Sequence, residues 1–79
     1  MRNENGEMIK KGRLKILFFG FPYKEREIEI ERFEKYSDIL SFLDINPETV
    51  VILKDGVPIP TNDEVEEGEI KVIRVISGG

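Results

Sequence analysis

Two stretches near opposite ends of the chain are apolar on both of their alternating rows, and only one segment of helical periodicity lies between them. In Leu14-Lys15-Ile16-Leu17-Phe18-Phe19-Gly20-Phe21, Leu14, Ile16 and Phe18 form one row, and Leu17, Phe19 and Phe21 form the other. In Ile70-Lys71-Val72-Ile73-Arg74-Val75-Ile76 the rows are Ile70 with Val72, and Ile73 with Val75 beside Lys71. A strand apolar on both rows belongs at the buried centre of a sheet. The two strands are therefore expected to lie side by side. They should run parallel, because the helix has to cross over between them.

The remaining segments fill in around that pair. Pro22 closes the first strand, and Glu27-Ile28-Glu29-Ile30-Glu31 then alternates strictly, which predicts a second strand hairpinned to the first, with its glutamates in water. Ser37 is the expected helix N-cap, followed by Asp38 in the first turn and by Ile39, Leu40 and Leu43 at helical spacing. The helix should stop before Asn46-Pro47. Val50 to Lys54 reads as a third strand, Asp55-Gly56 as a two-residue hairpin turn, and Val57-Pro58-Ile59-Pro60 as a short edge piece. Thr61 to Glu67 reads as a polar, acidic connection, with Gly68 turning into the last strand. Residues 1–12 have no periodicity and are expected to be a mobile leader. Residues 13–76 are expected to form one domain and residues 77–79 a flexible tail.

One helix can cover only one face of such a sheet. The row Leu17, Phe19, Ile73 and Val75 is then left as an apolar patch on the other face, which marks a site for a partner protein. The alternative is that the leader or a second copy of the chain covers it.

Composition removes whole classes of chemistry. The 79 residues contain neither cysteine nor histidine, so the usual zinc ligands, the thiolate nucleophile and the commonest general base at neutral pH are all missing. A domain this size buries only about 60% of its unfolded surface and has little room for an enclosed pocket. The chain is read as a non-enzyme with no bound metal or cofactor. With a formal charge of −4 and no basic run longer than Lys10-Lys11, it is not expected to bind nucleic acid. No apolar run approaches the roughly 20 residues of a membrane span, so a cytoplasmic protein, monomeric when free, is expected. The acidic residues Asp63, Glu64, Glu66, Glu67 and Glu69 lack the spacing of a calcium loop and read as a solvated turn.

The closing residues Ser77-Gly78-Gly79 carry the chemistry. A Gly-Gly thread passes through a channel that would exclude side chains, and it presents an uncrowded carbonyl. The α-carboxylate is ionised at neutral pH and is a poor acyl donor until something activates it. The chain has no phosphate-binding loop motif of its own, so ATP must be used by a partner, which forms an acyl-adenylate on Gly79. A sulfur nucleophile or an amine then attacks.

Taken with these residues, "KILFFG" at 15–20 resembles the first strand of MoaD, and "VVILKDGVPIP" followed by "VEEGEIKVIRVISGG" resembles ThiS. From Leu14 onward the chain is similar to the β-grasp sulfur-carrier and ubiquitin-like family, which includes the archaeal small modifiers. The resemblance implies an α+β, β-grasp fold: a mixed sheet of four to five strands with one helix on one face, in the order β-β-α-β-β-β. It implies that an adenylating enzyme of the ubiquitin-activating type, MoeB/ThiF-like, activates Gly79 using ATP. Gly79 is then either converted to a thiocarboxylate by a sulfur source or joined to lysine, with Gly78 lining the tunnel and the patch docking the body. A downstream synthase or a conjugation target completes the set of partners. Thiamine, molybdopterin, tRNA thiolation and protein conjugation all remain open as pathways. The alternative function is a ubiquitin-fold interaction module that acts only through its sheet face.

Overall fold

The computed structural model describes residues 11–76. Five strands form one sheet in the order β2-β1-β5-β3-β4, with β1 Arg13–Phe19, β2 Glu25–Glu29, β3 Val50–Lys54, β4 Val57–Ile59 and β5 Gly68–Arg74. Among the described residues there is one α-helix, α1, spanning Tyr36–Phe42, and short 3-10 turns occupy Ile30–Arg32 and Pro47–Thr49. Strands β1 and β5 are parallel neighbours, paired from Leu14↔Gly68 to Phe19↔Ile73, whereas β1·β2, β3·β5 and β3·β4 are antiparallel. This is the mixed α+β arrangement expected of a β-grasp domain, with the two doubly apolar strands at its centre.

The core lies between the helix and one sheet face. Leu14, Ile16 and Phe18 of β1, Ile70 and Val72 of β5, and Val50 and Ile52 of β3 are buried there against Tyr36, Ile39, Leu40 and Ile45. Val65 is also fully buried. The acidic connection is therefore not wholly polar: it drops one branched side chain into the core, and the Val65 N–H donates to the Glu34 carbonyl at 3.0 Å.

Four element boundaries differ from the sequence expectation, each for a local reason. Strand β1 ends at Phe19 because Gly20 takes a φ of +89°, a left-handed conformation that breaks the extended run. Strand β2 lies two residues earlier than the alternation suggests. Ile30 leaves the ladder for a 3-10 turn, yet it stays buried, with its N–H donating to the Gly12 carbonyl at 3.2 Å. Lys35, not Ser37, is the N-cap of α1. The N–H groups of Tyr36 and Ser37 donate to the carbonyls of Asp63 and Thr61 at 3.2 and 2.7 Å, so a distant loop satisfies the helix start. Strand β5 runs from Gly68 to Arg74 instead of from Ile70 to Ile76. Its ladder with β3 ends at Val50↔Arg74, and the next two residues bond elsewhere.

Two tight features match the reading closely. Asp55 and Gly56, at φ 53° and 79°, supply the two positive angles of a type I′ turn, which joins β3 to β4 at the pair Lys54↔Val57. The helix stops at Phe42 with bonds from Ile45 N–H to the Leu40 carbonyl, 2.7 Å, and from Asp44 N–H to the Ser41 carbonyl, 3.0 Å. That is the Schellman pattern, with Asp44 at φ 63° in the position usually given to glycine.

Candidate functional site

Side chains alternate across the sheet, so the register fixes what the helix-free face presents. Near the end where β5 leaves the sheet, Phe19, Ile73 and Val51 lie in one row across three strands. The next row holds Glu25, Leu17, Lys71, Leu53 and Pro58. Beyond it come Glu27, Lys15 and Glu69, then Arg13 and Glu29. The face thus divides into an apolar end beside the strand exit and a charged end away from it. At the charged end Arg13 approaches Glu27 at 3.8 Å and Lys15 approaches Glu25 at 4.0 Å, exposed pairs that compensate one another and add little stability.

Of the four residues expected to form the patch, Leu17, Phe19 and Ile73 fall on this face, and Val75 lies past the end of the ladder. Phe19 and Val75 are 47% and 57% exposed, while Leu17 and Ile73 are half-buried between neighbouring strands. Val51 and Leu53 extend the patch onto β3 and were not singled out from the sequence. The signal was available, since Val50-Val51-Ile52-Leu53 is also apolar on both rows, the same criterion that identified β1 and β5. Gly79, Gly78 and Ser77 lie outside the described residues, as do the first ten residues of the expected leader.

The exit of β5 is the second part of the site. Arg74 is the last residue of the strand, and its guanidinium carbon lies 4.3 Å from the centroid of Phe21. Phe21 is stacked on Tyr23 at 5.4 Å, and both meet Phe18 edge-on. Val75 and Ile76 continue past the ladder, each donating its N–H to the Thr49 carbonyl, at 2.9 and 3.2 Å. Tyr36 is buried, and its hydroxyl accepts from the Glu66 N–H at 3.3 Å.

The acidic turn has a mainly structural part. Glu66 holds Lys54 at 2.7 Å, and the Lys54 ammonium is raised above its ordinary pKa of 10.5 chiefly by that hydrogen bond, against a smaller opposing effect of burial. Among the described residues no group of acidic side chains is arranged to hold a metal ion, and no helix is long and apolar enough to cross a membrane.

Comparison with known proteins places this architecture. Residues 13–76 match the sequence model of a family described as Small archaeal modifier protein 2. Small archaeal modifier protein 2 of Haloferax volcanii is 36% identical over 53 residues, covering 67% of this chain and 80% of that protein. An uncharacterized protein of Archaeoglobus fulgidus is 57% identical over 67 residues, covering 85% of this chain and 98% of its own length. Among solved structures, a ubiquitin of Caldiarchaeum subterraneum superposes with a TM-score of 0.64 at 15% identity, covering 87% of this chain and 99% of that one, a likeness that concerns the fold. With a β-grasp body and a family match over all five strands, the chain belongs to the small archaeal modifier protein 2 family of ubiquitin-like modifiers.

Proposed function

We propose that the protein acts as an acyl carrier through Gly79, activated by an adenylating enzyme of the ubiquitin-activating kind that docks on the helix-free face. The observation that carries this reading is one of placement: only two residues separate Ser77-Gly78-Gly79 from Arg74, the end of the strand whose Ile73 lies in the apolar patch. Docking on the patch brings the glycines to the same partner. With Gly79 as the C-terminal residue, its carboxylate oxygen attacks the α-phosphorus of ATP and pyrophosphate leaves. Hydrosulfide then displaces AMP to give a thiocarboxylate, or a lysine amine displaces it to give an isopeptide amide and releases a proton. The protein binds no cofactor itself; ATP and the sulfur source are used by the partner.

Family membership supports the modifier role, and the side-chain inventory supports an external catalyst, since neither cysteine nor histidine is present to activate anything. Intact-mass measurement tests the proposal. Incubation with the adenylating enzyme, ATP and sulfide is expected to add about 16 Da through exchange of oxygen for sulfur at the acyl end. Protein drawn from its own cells should carry either that mass or a conjugate. A chain lacking Gly78 and Gly79 that performs as well as the full chain in cells would instead establish an interaction module working through the sheet face alone.

A further inference from the structure

The departure of β5 from the sheet is held more firmly than a strand end requires. One acceptor, the Thr49 carbonyl, takes the N–H groups of both Val75 and Ile76. Thr49 is itself tied down: its N–H and its hydroxyl both donate to the Asn46 carbonyl, at 3.0 and 2.7 Å. The Asn46 side chain in turn accepts from the Glu48 N–H at 2.9 Å, and Pro47 fixes the first position of the turn. Across the strand, Gly20 approaches so closely that a Cβ there would lie 3.0 Å from the Cβ of Arg74. The Arg74 head group is meanwhile laid over Phe21. The strand is gripped from two sides at the level of Arg74 and tethered for two residues beyond it.

We propose that Asn46, Thr49, Gly20 and Arg74 form a collar that sets the direction and reach with which the residues after Ile76 are delivered. The inference rests on the carrier reading of Gly79 and adds a geometric requirement on its partner. Three residues follow Ile76 in the sequence, and fully extended they span roughly 10–11 Å at about 3.3–3.6 Å per residue. With Gly79 as the acyl end, the partner's reacting phosphorus lies no deeper than about that beyond the docked body. If the collar opened back to Ile73, the free segment would double in length and the carboxylate would sample a much larger volume, lowering its effective concentration at the reacting centre. These are positioning residues; none of them touches the reacting atoms.

Two mild variants test the collar: Thr49→Val, which keeps the β-branched shape and loses the hydroxyl bond, and Asn46→Ala, which removes the side-chain acceptor. Amide hydrogen exchange on the isolated chain reads the collar directly. In the unsubstituted protein Val75 and Ile76 should be slowed at least about ten-fold relative to an unstructured peptide, and the variants should lose most of that protection while Val72 keeps its own. Steady-state adenylation, with this protein as the varied substrate and ATP saturating, reads the delivery. The variants should lower kcat roughly three- to ten-fold and leave KM within about two-fold, because Leu17, Phe19 and Ile73 keep their places in the ladder. One glycine inserted between Ser77 and Gly78 of the unsubstituted chain should also lower kcat, as it shifts the carboxylate by about 3.5 Å. Unprotected Val75 and Ile76 amides overturn the collar. Protection lost with kcat unchanged overturns its role in delivery. An unsubstituted chain that is never adenylated, with both amides protected, overturns the carrier reading and the delivery role together, and leaves the collar as a structural feature.

Discussion

Asp44 and Asp55 both hold positive φ, but they stand in different relation to their surroundings. Asp55 pairs with Gly56 in a turn that favours Asp or Asn at its first central position, so its strain is partly relieved by the motif. Asp44 occupies the left-handed end of the helix, where glycine carries no Cβ penalty. Asp44→Gly is expected to raise stability by about 0.5–1 kcal/mol, read from the midpoint of chemical denaturation. Gly20 presents the reverse case, with a φ of +89° and the Arg74 side chain at the position a Cβ would meet. Gly20→Ala should cost about 1–2 kcal/mol by the same measurement. Val65→Ala, which opens a gap beneath an acidic surface turn, should cost about 2 kcal/mol, whereas Glu67→Ala in the same turn should stay within about 0.5 kcal/mol.

At the level of elements, α1 is too short to hold itself, since isolated helices shorter than about 12–15 residues are marginal even with good formers. Its start depends on the 61–63 connection for two backbone bonds and on Asp38, whose carboxylate accepts the Lys35 N–H at 3.0 Å. Asp38→Ala is expected to lower stability by about 1 kcal/mol. The same connection is pinned to β3 by Lys54 and Glu66. The folded-state pKa of Lys54 is raised, so the pair's contribution is fully present below the ordinary value of 10.5 and disappears as pH climbs through the higher folded value. The stability gap between the unsubstituted protein and Lys54→Met should therefore be flat through neutral pH and shrink above 10.5, from a starting size of about half a kcal/mol or less for an exposed pair. These elements also show what a sequence can and cannot disclose. The Asp-Gly turn and Val50 to Lys54 were legible because a two-residue code and an apolar run are local signals. The start of α1 was misplaced because the groups that cap it come from residues 61–63, some 25 positions away, and no local propensity reports them. Val65 was hidden by its acidic neighbours, and the slide of β2 followed from Ile30 reaching the core by a turn instead of along a strand. On the sheet face, Leu17, Phe19 and Ile73 came from the alternation, while placing Val51 and Leu53 beside them required knowing that β3 is the other neighbour of β5.

Across the whole molecule, one helix against one face divides each central strand into two rows with opposite duties. Ile16 and Phe19 belong to the same strand, but Ile16 is fully buried and Phe19 is about half exposed. Ile16→Ala is expected to cost about 2–5 kcal/mol, a large part of the stability of a domain this small. Phe19→Asp should leave cooperative unfolding within about 1 kcal/mol while raising KM for adenylation, measured with the same enzyme and ATP. Loss of folding in Phe19→Asp would instead assign that row to the core. The position of β5 has one more consequence. It is the last of the described strands in chain order, yet it lies between β1 and β3 and is hydrogen-bonded to both. Without β5, β1 and β3 have no shared neighbour, so a fragment ending before Gly68 has no central strand to join its two halves. Such a fragment lacks Ile73, and with it the residue that joins Phe19 to Val51 in a single apolar row.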